Sequence, residues 1–527
     1  MAARLMRWRL LAEAGLRRFY AAFFWCWMLF FLLAWDTWQE PSRAVTSAAL
    51  ASLCGAFAAA AVECTAETRG AGAFDRWQLL SCPVAAAWFV WLRWGAEASD
   101  GTLAACGFCG ACLAAGLYFL TKRAGEAAFA AVFAALWKAA GAAVLLTASL
   151  SVCVWAADTL LFDLDWRWYT IAWEGAVFAA GGPLFLSWLP EGRAEAPRML
   201  AALFRRLLFP VYLVLLAILY GYIGKIFVTG VMPEGQMNWF ASLAVFGWAL
   251  AWFLFPEVEG RFFRGFLRWG SVLLVPVVAV QLLCVEIRVS AYGLTASRYA
   301  GLLCTAYGLA VMIRAALGGR RGLLYGLMAA LCLFAAMGPG QLYRTAERDQ
   351  QWRAQTVMER AGMMKDGAIA AAAEPLSPED RARLVSAYRY LQGESVRQGR
   401  TAYTFTDQIA RSEELARLAE EEARLRAAPM WKSLYAPDDQ PVPVAGYDRM
   451  YEFTMAPAGA IPAGGLTFDA SAAVAAFFAA RPEGAQAEPM VWQADERHLL
   501  YFRRCVRADS GDGPSDTATG FVLERDG

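Results

Sequence analysis

Long stretches of this chain show no alternation of apolar and polar positions. Runs of about twenty residues are hydrophobic on every side, the mark of helices surrounded by lipid or by other helices. Eleven such runs predict membrane spans, at roughly 19–38, 44–64, 77–95, 101–121, 139–161, 168–189, 207–229, 238–256, 270–288, 299–317 and 322–340. Trp residues mark many of their ends, among them Trp38, Trp77, Trp94, Trp168, Trp188, Trp239 and Trp269, as interfacial aromatic belts do. Residues 190–206 break the pattern with Pro190, Gly192, Pro197 and four arginines, a predicted cytoplasmic connection whose end, from Met199, reads as a short interfacial amphipathic helix. This connection separates a six-span half, residues 1–189, from a five-span half, residues 207–340.

After Pro339 the periodicity becomes that of soluble structure. Residues 341–364 and 379–399 predict amphipathic helices, the second opened by a Ser377 cap, Pro378 at the first helical position and Glu379 and Asp380 in the first turn. A third helix is expected from about Asp407 to Arg426. Pro441 to Gly465 is rich in turn residues. Met450–Met455, Leu499–Val506 and Thr519–Leu523 predict a small sheet, with a helix near Ala470–Ala480. The fold class is therefore an all-α polytopic membrane protein of about eleven transmembrane helices, followed by a small α+β domain over 341–527.

Composition supports the membrane reading: 59% of the 527 residues are hydrophobic and only 18% are charged. A net charge of +1 without a basic stripe gives no footprint for nucleic acid. Arginine and lysine set the orientation. The N-terminal Arg4, Arg7, Arg9, Arg17 and Arg18 fall on one side with Arg69, Arg76, Lys122, Arg123, Arg193, Arg198, Arg205, Arg206, Arg261, Arg264, Arg268, Arg320 and Arg321; the alternate loops hold only Arg43, Arg167 and Arg298. This predicts an inner-membrane protein with a cytoplasmic N-terminus and a periplasmic C-terminal domain. The first run, from Phe19 to Trp38, is longer than the core of a signal peptide and reads as an uncleaved span. Of twelve Cys, only Cys505 lies outside the apolar segments, so no disulfide framework is expected. The single histidine, His498, excludes a histidine-rich metal site, and no acid or nucleophile is evident beside it in the sequence.

The most distinctive stretch is Val285 to Tyr299, which joins the ninth and tenth runs on the predicted outer face and carries Glu286, Arg288 and Arg298 where the flanking chain is nearly free of charge. Charge at membrane depth is costly and points to function by default. Lys225, Glu286, Arg288, Tyr292 and Arg298 can converge on the outer leaflet, where fixed cations beside one carboxylate suit an anionic headgroup or an acidic solute. The alternative is that Lys225, Arg288 and Lys138 only snorkel to the interface, or that an internal ion pair fixes the loop. Glu174, about two turns into the sixth run, is a further intramembrane charge. Gly293 reads as the turn residue, and Thr295 as the cap of the next helix, which places Arg298 in its first turn against the helix dipole. Cys106, Cys109 and Cys112 have metal-like spacing but lie among Gly107, Gly110 and Gly116, a small-residue face for close helix packing; a three-thiolate cluster is the other reading. No cofactor or metal is expected, and phosphate-loop, nucleophile-elbow, zincin and dinucleotide-binding motifs are absent.

The run from Ile287-Arg288 through Tyr292-Gly293-Leu294-Thr295 to Arg298-Tyr299 resembles the bacterial membrane proteins grouped as domain of unknown function 4153. Pro210, Tyr220 to Lys225 and Pro233-Glu234-Gly235 resemble the preceding span and loop of that family. Gly338-Pro339, the polar segment with Gln351, Ala361-Gly362, Asp366-Gly367 and Tyr390-Leu391 resemble its pattern after the last span. The resemblance covers about residues 200–400 and implies a multi-pass membrane protein, with no catalytic residues to carry over. Three functions fit these residues. The first is a non-enzymatic protein handling or sensing an anionic solute or lipid at the outer face. The second is a scaffold or signalling component whose domain 341–527 recruits envelope proteins. The third is a membrane-embedded transferase with Glu286 as its acid or base.

Overall fold

A computed structural model of the chain describes residues 10–525, apart from 11–12, 40–41, 71–75, 97, 161–162, 195–197, 230–236, 256–260, 319–320, 366–367, 373–374, 399–404, 426–430, 436–446, 448, 456–459, 464–465, 481–489 and 511–512. Arg4, Arg7, Arg9, Pro197, Pro233 to Gly235, Arg320, Asp366-Gly367, Arg426 and Pro441 thus lie outside the described residues. The chain forms two compact units, residues 1–416 and 417–527.

The first unit is helical. Its helices are α1 (Tyr20–Trp38), α2 (Arg43–Thr68), α3 (Ser81–Val90), α4 (Ala98–Ala124), α5 (Ala128–Leu160), α6 (Arg167–Glu174), α7 (Gly182–Ser187), α8 (Arg198–Leu203), α9 (Phe209–Thr229), α10 (Met237–Leu254), α11 (Arg261–Tyr292), α12 (Ala296–Ala316), α13 (Gly322–Ala336), α14 (Leu342–Arg360), α15 (Pro378–Gln398) and α16 (Phe405–Ala410). Among the described residues seven helices are long and apolar enough to cross a membrane, and two shorter apolar ones span Trp239–Leu254 and Gly322–Ala336.

The predicted count of about eleven spans is thus not reproduced as eleven long helices. Two of the predicted runs are broken: 77–95 into a 3-10 turn (Arg76–Leu80), α3 and a π turn (Trp91–Gly95), and 168–189 into α6, a π segment (Gly175–Gly181) and α7. Hydropathy counts apolar residues whatever their hydrogen-bond register, so it does not see these changes, which fall where glycine or proline weakens the α register. Helices α5 and α11 also begin well before the predicted 139–161 and 270–288, at Ala128 and Arg261. The expected separate interfacial helix at 199–206 is instead continuous with a span: α8 passes through a π turn at Phe204–Leu208 into α9.

Polar ties hold the apolar helices in register, since lipid supplies no hydrophobic force between them. Gln281 on α11 donates to Ser242 of α10 at 2.9 Å and to Thr305 of α12 at 3.1 Å. Tyr220 donates to the Leu273 carbonyl, one turn before Pro276 interrupts α11. Gly107 and Gly110 of α4 face Ala336 and Cys332 of α13 so closely that a Cβ at Gly107 has no room, the close-packing reading of the cysteine-rich segment.

A buried ionic network joins the ends of several early elements. Arg18, 8% exposed, pairs with Glu67 at 2.5 Å and donates to the Leu189 and Pro190 carbonyls at 2.8 and 3.0 Å. Arg123 pairs with the same carboxylate. Gln78, fully buried, donates to the Arg18 carbonyl and to Glu63 at 2.7 and 2.8 Å.

The second unit is an antiparallel sheet in the order β1 (Trp431–Tyr435), β4 (His498–Ser510), β5 (Gly513–Glu524), β2 (Arg449–Thr454), with β3 (Met490–Gln493) also paired to β4. The predicted strands at 450–455, 499–506 and 519–523 and the helix at 470–480, found at Ser471–Ala480, all appear. Phe453, Met455, Val474, Met490, Phe502 and Val522 form its core, and Cys505 is buried. The expected helix at 407–426 is split, α16 ending at Ala410 and a further helix spanning Glu413–Leu425. Helices α14 and α15 fall within the first compact unit, residues 1–416.

Candidate functional site

Chain direction reverses between α11 and α12 at Tyr292-Gly293-Leu294-Thr295. Gly293 adopts φ +77°, the left-handed conformation that ends α11, and its N–H donates to the Val289 carbonyl at 2.9 Å. Thr295 caps α12, its hydroxyl accepting from the Arg298 N–H at 3.4 Å. Arg298 stands in the first turn of α12, unfavourable for the dipole, and the compensation is local. Its guanidinium donates to the Gly293 carbonyl at 2.6 Å and lies 5.8 Å from the centre of the Tyr292 ring.

The loop is gripped by α14. Gln350, 1% exposed, donates to the Tyr292 and Leu294 carbonyls at 3.1 and 3.0 Å. Arg353 donates to the Val289 and Ser290 carbonyls at 2.6 and 3.1 Å, placing a cation at the C-terminal end of α11, where the dipole favours one. Asp349 accepts from the Leu294 N–H at 2.7 Å and from Arg353 at 3.1 Å. The Ala296 N–H donates to the Tyr390 hydroxyl of α15 at 3.2 Å. Side chains thus meet the Val289, Ser290, Tyr292, Gly293 and Leu294 carbonyls and the Leu294, Ala296 and Arg298 N–H groups of the reversal.

The sequence-predicted residues therefore divide. Tyr292, Gly293, Thr295 and Arg298 come together as one built turn. Arg288 is half-buried and lies within electrostatic reach of Arg298, as Arg353 does. Glu286 is exposed and lines a shallow groove of about 560 Å³ between α11 and α12, with apolar walls from Ala279, Leu282, Leu283, Val285, Val289 and Leu302. Lys225 is exposed on α9. Among the described residues, no hydrogen bond or ion pair joins the side chain of Lys225, Glu286 or Arg288 to the turn.

Sequence reasoning missed Asp349, Gln350 and Arg353. A signal was present. Ala346, Gln350, Ala354 and Val357 make one buried helical stripe, and a glutamine at its centre is a polar residue on a core face. It also missed the acid beside His498. The Nδ1 of His498 lies 2.8 Å from Asp495, three residues earlier in the turn that leads into β4, too local a partner to stand out in the sequence.

The family described as Domain of unknown function (DUF4153) matches residues 55–350, which includes most of the first half as well as the turn and Gln350. No curated protein and no solved structure matches the chain.

Proposed function

Because this chain belongs to the DUF4153 family, a match reaching from α2 into α14, we propose that it is a non-enzymatic polytopic inner-membrane protein that handles or senses an anionic lipid or solute at the outer face. The N-terminus is cytoplasmic and the C-terminal sheet periplasmic in this reading, as the arginine and lysine bias requires. The observation that carries it is the charge balance around the turn. Arg288 and Arg353 lie within electrostatic reach of Arg298, and Asp349, the carboxylate hydrogen-bonded into the turn, is already held by Arg353 and the Leu294 N–H. Arg298 and Arg353 donate to backbone carbonyls and act as positioning residues; Arg288 is left as the group that meets the anion. The apolar groove on the same helix pair lies next in sequence and suits an acyl chain, which favours a lipid over a free solute.

The test is thermal unfolding of the purified protein in neutral detergent, with phosphatidylglycerol or with phosphatidylcholine added. Stabilisation by the anionic lipid in the wild type and its loss in Arg288→Gln is the expected result. Equal stabilisation of both proteins removes Arg288 from the reading. Labelling of Glu496→Cys by a membrane-impermeant thiol reagent in intact spheroplasts checks the side; Glu496 is exposed, whereas Cys505 is buried. A second reading, the scaffold, is favoured by the closure of the turn on α14 and α15, and pull-down of partners by the full chain with Arg288→Gln unaffected supports it instead.

A further inference from the structure

Away from the turn, α6 carries a carboxylate with an unusual setting. Glu174 is 7% exposed and is the last residue of α6 before the π segment Gly175–Gly181. One of its oxygens, Oε2, is buried with no hydrogen-bond partner, and so is Oδ1 of Asp36 at the end of α1. The two groups lie close enough to interact electrostatically. Thr37 lies between them in function: its hydroxyl is 3.0 Å from the Leu33 carbonyl and 3.5 Å from Oε1 of Glu174. A hydroxyl has one hydrogen, and the shorter contact to the Leu33 carbonyl takes it. The contact to Glu174 is then complete only when the hydrogen comes from the carboxyl side.

We propose that Glu174, with the half-buried Asp36 as its neighbour, is a proton-binding site: a buried carboxyl and an adjoining acid that together hold and release one proton. The ligand class is the proton itself, and the site is independent of the arginine-bearing turn. Among the described residues, no cation is hydrogen-bonded or ion-paired to either carboxyl. On α6 itself Arg167 pairs with Asp165 at 3.7 Å and lies over the Trp38 ring. Helix α5, which packs on α6 and on the π segment, brings Asp158, already accepting from the Leu164 N–H, and the exposed Lys138. The π segment and α7 bring no charged side chain. Trp38 and Trp168, in edge-to-face contact at 5.4 Å, stand on the same two helices toward their common end and limit access from that side. The α-to-π change beside Glu174 gives the helix a second hydrogen-bond register there, the kind of local irregularity that accompanies functional sites.

The experiment is modification of the full-length protein in detergent by dicyclohexylcarbodiimide, followed by peptide mass spectrometry. A protonated buried carboxyl adds to the reagent, its proton passing to nitrogen, and rearranges to a stable N-acylurea with no leaving group. We expect an adduct on Glu174 that fades as pH rises, none at that position in Glu174→Gln, and in Asp36→Asn a fade shifted down by about one pH unit, because a neighbouring negative charge has gone. A flat pH profile, or an unshifted one in Asp36→Asn, overturns the proposal. Protection of Glu174 by added sodium at constant pH overturns it in favour of a metal-cation site. Should the reagent fail to enter, a pH-difference infrared spectrum decides: a carboxyl C=O band that disappears on raising the pH and is absent from Glu174→Gln supports the site, and identical spectra reject it.

Discussion

Two of the buried polar systems in the helical unit are built on contrasting plans. The network at Arg18 is centred on paired side chains, with backbone bonds added: Glu67 holds Arg18 and Arg123, Gln78 bridges Glu63 and the Arg18 carbonyl, and Arg18 also donates to the Leu189 and Pro190 carbonyls. The turn at 289–298 joins side chain to backbone: Gln350 and Arg353 saturate four carbonyls, and Asp349 one N–H. The first plan concentrates its energy in one carboxylate shared by two guanidiniums, so a single deletion leaves buried charge behind. The second spreads it over several weaker bonds, so each deletion costs a part. The difference matches what each does: the network fixes where helices meet, and the turn fixes the shape of a loop.

The largest expected effect is therefore Glu67→Ala. It removes the carboxylate that both Arg18 and Arg123 hold, with an expected loss of about 3–5 kcal/mol. Thermal unfolding in detergent measures it, and a loss below that of any turn variant would break the comparison. Next comes Gln350→Leu, which keeps the volume but leaves the Tyr292 and Leu294 carbonyls without this donor. A loss of about 1–3 kcal/mol is expected, with faster hydrogen exchange confined to 289–298. Destabilisation spread evenly over the unit would mean that the turn is not the local device described.

These two systems differ in how far they are legible from sequence, for a physical reason. The turn announces itself because Gly293 and Thr295 are the residue types that end and cap helices, while Arg298 is a charge between apolar runs, and their local roles follow from dihedral preference and capping. Its grip by Gln350 lies 58 residues from the Tyr292 carbonyl that accepts the bond, and nothing in local pattern joins the two. The ionic network was not anticipated, because Glu63, Glu67 and Gln78 sit where a polar residue reads as the edge of a span. The sheet strands were legible, since alternation over a half-buried strand is a strong signal, whereas the π segments leave the apolar pattern unchanged while altering the register of the backbone.

Gly293→Ala sharpens the contrast within the turn. A side chain there must adopt φ +77°, and its Cβ would press on Gln350 and on the Arg353 side chain at 2.9 Å. The left-handed conformation alone costs about 1–2 kcal/mol, so a loss of at least that size is expected by thermal unfolding. Gly125, at φ +86° with nothing within 4 Å, is the control: Gly125→Ala bears the dihedral cost alone, and the excess at Gly293 measures the tightness of the grip.

The smallest effect is expected in the sheet unit, where the one histidine meets an exposed acid. The Asp495 carboxylate accepts from the Arg497 N–H at 2.8 Å and from the N–H and ring of His498, each at 2.8 Å. The Arg497 N–H, followed by the His498 contacts, holds its carboxyl below the usual carboxylate range. A depressed folded-state value means that the stabilisation is present above the unfolded value of about 3.9 and is lost as pH falls through the lower folded one. Hydrogen exchange of residues 490–524 in the full chain therefore quickens across that acid window in the wild type. In Asp495→Asn the amide oxygen still accepts the backbone bonds, so exchange there becomes flat with pH over the same window. A pH profile unchanged by the substitution would assign the acid sensitivity of this turn to Glu524, whose carboxylate lies 3.9 Å from the other ring nitrogen.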